Sequence, residues 1–557
     1  MRQYIGARYM PKFLGTWSAT TSYEALSVVD DGMGTSYVSN KPTPAGTPLT
    51  DTSYWAVYGA SSGAIISLQN RMSAAENNIN DIMGLYATPE EYGAVGDGIA
   101  DDTQALQDAI NSGKHLIILT NVYRVVNQIT LVSDIKITGG SIFEDVPVLS
   151  PYESVFEASG ASNIIIDNVI FYGNNTSGSI TYNVNNVDTL LQFDNSSHIR
   201  VRNCNIKGIS KANALIFRGC NDVIVENNKI EYFLYCAIGF YDTTSNAHAI
   251  GNTVLNSRFI PTTQDNCYHI VLAGYTSTTY TPGSYLSAIG NYIDSDVHMW
   301  EGIDAHGGSF VEIANNIIKN MQIGISANSN LTGTPSFQCN DVSIHDNQIT
   351  GYVGSNGFSG ATGSTGITIS GTRVDVFNNK IVDAGKYIGI QDVTYYGAIV
   401  ISEVASAINI KGNTIYNCGG IGININVKNS AGTVIITDNS IRLNALVNGD
   451  IYSLYFKDMA GYSDIIIDNN TFNEYPHFRF PTVSVTGIIS LDNNRYLYDV
   501  TQNTVVNVKP DICTLAEISG VTKGRLGDII KAQDPTSSSA KMWMCTSISP
   551  ITYTAIS

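Results

Sequence analysis

The chain has 557 residues, a formal net charge of −18, and only 14% charged residues. An acidic surface repels phosphate backbones and anionic lipid, so nucleic acid and membrane surfaces are excluded as expected partners. No apolar run reaches the ~18 residues of a membrane span, and the opening MRQYIGARYMPKFLG lacks the apolar core of a secretory signal, so neither insertion nor export by that route is expected.

Residues 1–61 read as a small β module rich in aromatics, with Tyr23, Val28, Val29, Tyr37 and Val38 ahead of PTPAGTPLTDTSYWAVYG. Trp17, Tyr37, Tyr54 and Trp55 resemble the aromatic pattern of small carbohydrate-binding modules, although such rings also build the core of a mini-domain. Residues 62–86 come next as a neck. Ile65, Leu68, Met72, Ala75, Ile79 and Ile82 alternate spacings of three and four, a heptad seam with polar Gln69, Asn70, Arg71, Asn77, Asn78 and Asn80 outside it. A helix this short is marginal alone, so the seam predicts self-association, with isoleucine at both seam positions favouring three or four strands; one amphipathic helix lying on the next domain is the other reading.

The stretch EYGAVGDGIADDTQALQDAI, residues 91–110, predicts a helix capped by Asp101 or Asp102 that buries Ala105, Leu106, Ala109 and Ile110 and closes the open end of the domain it begins. That domain is a repeat. Nine asparagines, Asn228, Asn252, Asn291, Asn316, Asn347, Asn379, Asn413, Asn439 and Asn470, recur every 24 to 39 residues in one local frame, as in VENNKI, IHDNQI and ITDNSI. Each repeat runs apolar–polar–apolar into a turn at Asn and then into another apolar residue, as in Val342, Ile344, Asn347, Ile349. Asparagine tolerates left-handed backbone angles, and stacked amides bond from coil to coil. The fold class is therefore all-β: a right-handed, single-stranded parallel β-helix of about eleven or more coils over residues 87–505. Earlier copies around Ile164–Ile166 and Ile199–Val201 carry Val169 and Cys204 in the asparagine slot, so the ladder starts late. Residues 506–557 contain short strands and form a C-terminal β module. Eight scattered cysteines without a CxxC pair predict buried free thiols, and no metal centre is expected from them.

The string at residues 92–110, through Tyr92, Gly93, Gly96, Asp97, Gly98, Asp101, Asp102, Thr103, Gln107 and Ile110, resembles the opening of pectate-lyase-like right-handed β-helices, specifically phage tailspikes and preneck appendages. The resemblance implies a homotrimeric virion appendage, assembled in the host cytoplasm, whose first module docks to tail or collar proteins and whose helix binds or cuts a host-surface glycan. The matching residues build the cap and carry no activity of their own.

Candidate chemistry concentrates in DSDVHMWEGIDAHGG, residues 294–308. Strand alternation turns Ile303 and Ala305 inward and Asp304 and His306 outward, with Glu301 at the strand entrance and Asp294, Asp296 and His298 on the turn before it. His269 is expected on the same face one coil earlier, Ser326 and Asn328 one coil later, and Thr368 and Ser370 beyond, forming a polar strip along the rod. The loop GYTSTTYTPGSY would wall one side with Tyr275 and Tyr280. Glycosidic cleavage takes two carboxyl groups, one acid and one nucleophile or base. Asp304 with Glu301 is the first pair, Asp296 and Asp242 are reserves, His306 or His269 orients a carboxylate, contacts substrate or serves as acid/base, and His298 contacts substrate. EGIDAHGG also resembles a recurrent string of β-helix polysaccharide enzymes. Rival readings are a receptor-binding adhesin without catalysis, a Ca²⁺-dependent lyase with Asp294, Asp296 and Asp304 around the ion, and a cellular, monomeric polysaccharide enzyme. A capsule, a wall polysaccharide and a teichoic acid remain open as the polymer. Lysine and arginine are missing from the cluster, which favours hydrolysis over elimination.

Overall fold

The computed structural model describes all residues except 1–10, 34, 59–70, 74–83, 148–152, 175–187, 257–266, 277–278, 280, 296–298, 331–335, 352–363, 385–396, 428–430, 445–451, 457–461, 474–477, 480–487, 498–504, 507–528, 532–541, 549–550 and 557. The chain divides into two compact units, Met1–Tyr86 and Ala87–Ser557.

In the first unit, β1 (Lys12–Thr16) pairs in parallel with β2 (Ser27–Asp30), which continues antiparallel into β3 (Ser36–Ser39) and β4 (Trp55–Val57). Tyr23, Val29 and Trp55 form its core, against which Trp17, Tyr37, Leu49 and Tyr54 pack half-buried. Trp55 is thus a core residue, unable to present its ring to a sugar. Of the heptad seam, only Met72 lies among the described residues, on a short helical stretch and largely exposed.

The second unit opens with α1 (Thr103–Ile110), whose Ala105, Leu106, Ala109 and Ile110 are buried, as the apolar spacing predicts. The two candidate caps divide the work. Asp101 Oδ1 accepts the Thr103 backbone N–H at 3.0 Å, satisfying a first-turn amide, whereas Asp102 accepts from Val95 N and Gly96 N and ties down the preceding loop. Beyond the helix, each strand pairs in parallel with the strand one coil on, so the unit is a parallel β-helix wound three strands to a coil. One inward column runs through Ile117, Ile137, Ile166, Val201, Val225, Ala249, Ala288, Ile313, Ile344, Val376, Ile410, Ile436 and Ile467, a single residue from each successive coil. All thirteen are buried, a continuous dry spine along the axis.

The asparagine ladder is built as its spacing predicts, with one difference of detail. Asn228 N–H and Nδ2 both donate to Asn252 Oδ1, at 3.0 Å each, and the pattern repeats link by link to Asn470. The chain of amides then goes one step further, to Asn494, which shares the frame in LDNNRY. The left-handed turn, however, belongs to the residue before each ladder asparagine: Asn227, Asn315, Asp346, Asn378, Asp438 and Asn469, or Gly251, Gly290 and Gly412. The ladder asparagines stay outside that region so that their amides point inward, while the small polar or glycine neighbour absorbs the turn.

Residues 529–556 hold a separate three-stranded antiparallel sheet, Ile529–Lys531, Met542–Ile548 and Ile551–Ile556. Cys204, Cys220, Cys236, Cys267, Cys339 and Cys418 are buried free thiols. No helix among the described residues is long and apolar enough to cross a membrane.

Candidate active site

The candidate residues sit on one face built from β5 (Cys236–Tyr241), β6 (Tyr268–Gly274), β8 (Met299–His306), β10 (Ile317–Asn328) and β11 (Thr365–Phe377); β7 (Ser284–Ile289) and β9 (Gly308–Ala314) form the next face of the same coils. Register stacks Val271, Asp304, Ser326 and Thr368 in one column, Tyr268, Glu301, Ile323 and Thr365 in another, and His306 over Asn328. The predicted alignment of Ser326 and Asn328 with Asp304 and His306 therefore holds. The strip is short, because buried Val271 precedes Asp304 and buried Val400 comes after Thr368.

Strict alternation would send Glu301 inward with Ile303. It does not, because Gly302 adds an extra inward position: a Cβ there would meet Ile318 and Met321 of the core. Gly324 and Gly366 repeat the bend below it, each facing an isoleucine of the core. Glu301, Asp304 and His306 consequently emerge on the same outer side. His269 occupies the slot of Gly302 one coil earlier and so points inward. Its ring makes an edge contact with buried Phe233, Nδ1 lies 3.1 Å from Glu301 O, and burial drives its pKa down to about 4. The expectation that His269 shares the polar face is corrected by that glycine-type bend.

On the outer side, His306 Nε2 and Asp304 Oδ2 approach to 2.7 Å. Asp304 is fully buried, and the imidazole keeps a quarter of its surface exposed. Despite its burial, His306 has a raised pKa, because the Asp304 carboxylate favours the imidazolium. Glu301, itself only 5% exposed, is held far above the usual carboxylate range, first by burial and then by the neighbouring Asp304 charge. Its carboxyl bonds to Asp304 and receives further bonds from Ser326 and Trp300, while Asn328 Nδ2 donates to Ser326 Oγ at 2.6 Å. Glu301 Oε2 and Asp304 Oδ1 meet no donor among the described residues. Two adjacent buried carboxyl groups resist ionising together, and the raised pKa marks Glu301 as the member that holds its proton more tightly than a free carboxyl.

This closeness revises the first pairing. Glycosidase carboxyls flank a sugar at about 5 Å or about 6.5–9.5 Å, whereas Glu301 and Asp304 touch one another and are covered. They form one unit behind His306, which is the member that reaches solvent.

Rings enclose the imidazole: Tyr275, Phe337 and Tyr268 lie with centroids 5.4, 5.6 and 6.2 Å away. Tyr275 is placed as predicted. Asp242 is removed from the acid reserves, since its carboxylate is engaged by Thr276 N and Oγ1, at 3.0 and 2.7 Å, and holds the start of the Tyr275 loop. Tyr235, Tyr268 and Trp300 belong to a small outer cluster with Ile216, Cys236 and Val271 that sequence reasoning missed; aromatic residues at strand entrances were its one visible signal. Phe337 arrives from an excursion closed by paired Asn330 and Phe337 backbone bonds. Asp296, His298 and Tyr280 lie outside the described residues. Of the calcium set, Asp294 is engaged by Tyr292, Ser295 N and Asn320, and the described residues contain no group of three or more acids, histidines or cysteines arranged around an ion.

No protein-family model matches the chain. Its backbone superposes on the tailspike protein of E. coli bacteriophage HK620, solved with a hexasaccharide, with a TM-score of 0.51 and 13% identity over 76% of this chain and 78% of that one. The two chains share the parallel β-helix fold. A segment of 35 residues of this chain is 60% identical to a capsule K30/K69-specific depolymerase of Klebsiella phage K64-1, covering 6% of the chain and 5% of that protein. The chain thus spans about a twentieth of the length of that curated relative. PfbA, a surface adhesin of Streptococcus pneumoniae, aligns with 85% of this chain and all of its own at 15% identity and a TM-score of 0.45.

Proposed function

We propose that this protein is a homotrimeric virion appendage that binds a host-surface glycan and depolymerises it by hydrolysis, with His306 as the acid/base. The observation that carries the reading is the 2.7 Å contact between a fully buried Asp304 and a solvent-reaching His306 inside a ring of aromatic side chains. A histidine oriented and charged by a buried carboxylate is a proton-transfer device, and aromatic faces receive the C–H faces of sugars. The imidazolium protonates the glycosidic oxygen; the neutral imidazole it leaves then accepts a proton from the water that completes hydrolysis. Asp304 positions His306 and compensates its charge, and Glu301, kept neutral, prevents two adjacent carboxylates from ionising together. Asp304 is the charged group that raises the His306 pKa, and residues 294–308 contain no lysine or arginine to neutralise an acidic sugar, which favours hydrolysis over elimination. The tailspike fold and the short identity to a capsule depolymerase support the same reading.

The adhesin reading is favoured by one fact, the near-complete burial of both carboxyl groups. Incubating purified protein with envelope polysaccharide separates the readings. Release of reducing ends that vanishes in His306→Ala, with circular dichroism unaltered, supports hydrolysis; an ultraviolet-absorbing unsaturated end indicates elimination. Binding without release leaves an adhesin. Light scattering tests the trimer, and a monomer would return the cellular-enzyme reading.

A further inference from the structure

Around the corner from His306, past Gly307 and Gly308, the chain places Phe310 on the next face of the coil, four residues on. Phe310 stacks on Tyr285 of the coil before it, with centroids 4.8 Å apart and planes within 6°. Both rings are about half exposed, at 49% and 53%. Both residues also have left-handed backbone, with φ of 56° and 57°.

That slot recurs with positive φ at the start of this strand in neighbouring coils, where it holds mostly polar residues: Asp134, Asn163, His198, Asp222 and Asn246 earlier, Asp341, Arg373 and Ala407 later. A bulky aromatic is a poor occupant of the conformation, and an exposed one adds nothing to the core. Two in succession, stacked and open to solvent, are unexplained by folding. The flanking groups are polar: the Asn246 amide one coil before Tyr285 and, on the other side, Asp341 one coil after Phe310, ion-paired with Arg373 a further coil on.

We propose that Tyr285 and Phe310 form a second glycan-binding platform, separate from the His306 site, which packs the C–H face of a pyranose against its rings and takes sugar hydroxyls on Asn246, Asp341 and Arg373. The patch is two rings wide in a mostly polar column, the footprint of a sugar unit; a stable contact with another copy of this chain takes on the order of 800 Å² from each partner. Phe310 comes four residues after His306, around the corner of the same coil. The proposal rests on the glycan-binding part of the reading above and not on the proton chemistry of His306.

Wild type, Tyr285→Asn/Phe310→Asn, Tyr285→Ala/Phe310→Ala and His306→Ala are compared on a printed array of bacterial envelope polysaccharides and dextran, followed by calorimetry on the strongest binder. Both platform variants are expected to weaken binding about ten-fold or more, while kcat on saturating polymer stays within about two-fold. The asparagine variant is expected to melt no lower than wild type, because asparagine suits the left-handed slot; rings with a merely structural role would make it melt lower. His306→Ala is expected to keep array binding. Undiminished binding by the platform variants overturns the proposal, and so does a wild type that binds nothing on the array. Loss of oligomeric state by light scattering, with per-chain binding intact, would assign the rings to an interface between copies instead. If His306→Ala abolishes release and the platform variants bind normally, the hydrolase reading stands and the platform falls.

Discussion

The asparagine ladder and the Glu301–Asp304–His306 face are both columns of polar residues stacked through the same coils, yet they are opposites. In the ladder every coil contributes the same group, and each amide gives and accepts in turn, so the column is closed and buried without an orphan. In the other, each coil contributes a different group, and the acceptors outnumber the donors. Repetition satisfies polar groups; departures from it leave unpaired acceptors and shifted proton affinities, where chemistry sits.

The sharpest way to break the comparison is at His306. Replacing it by alanine is expected to lower glycan release by about 10²–10⁴-fold with the fold intact. Asp304→Asn removes the charge that favours the imidazolium, so the alkaline limb of the rate profile is expected to move to lower pH. A profile that stays put would detach Asp304 from His306.

In the ladder, Asn316→Ala strips Asn291 of its acceptor and Ala288 O of a donor. Each buried group left unpaired costs about 1–3 kcal/mol, so a loss of about 3–5 kcal/mol is expected by denaturant melts. A change near zero would mean that the rungs act independently of one another.

His269 provides an internal pH test. Its folded pKa is lowered to about 4, so below about 6.5 the unfolded chain binds a proton that the folded chain refuses. Stability is expected to fall by up to about 3 kcal/mol as pH drops from about 6.5 to about 4, and His269→Phe should flatten that slope. An unchanged slope in the variant would place the acid sensitivity elsewhere.

Glu301 provides a second pH test, of opposite sign. Its raised folded pKa means that the unfolded chain releases a proton above about 4.3 while the folded chain retains it, so the contribution is lost as pH rises through the folded value. Glu301→Gln should therefore match wild type near pH 4 and be the more stable of the two at alkaline pH. Equal stability at both ends would mean that folding does not tighten the hold of Glu301 on its proton.

Particular residues show how far reading the chain reached. The repeat, the capping helix with its four buried apolar positions, and the cluster at 294–308 were legible, because each is written in spacings of a few residues. Asn494 was missed although it has the same frame, and the left-handed turn was assigned one residue too late, since an Asn-Asn pair does not say which member turns. His269 left the expected face because it shares the slot of Gly302, where the strand bends and simple alternation counted from Ile303 no longer applies.

By itself the sequence determined that the chain winds: apolar alternation, turn residues and a recurring amide are local signals, and they act over fewer residues than one coil. Left to the tertiary structure was which groups become vertical neighbours and how deeply they are covered. Coils of 24 to 39 residues set that register through loops of unequal length. Electrostatics and solvent access then depend on distances across the coils that no spacing along the chain specifies.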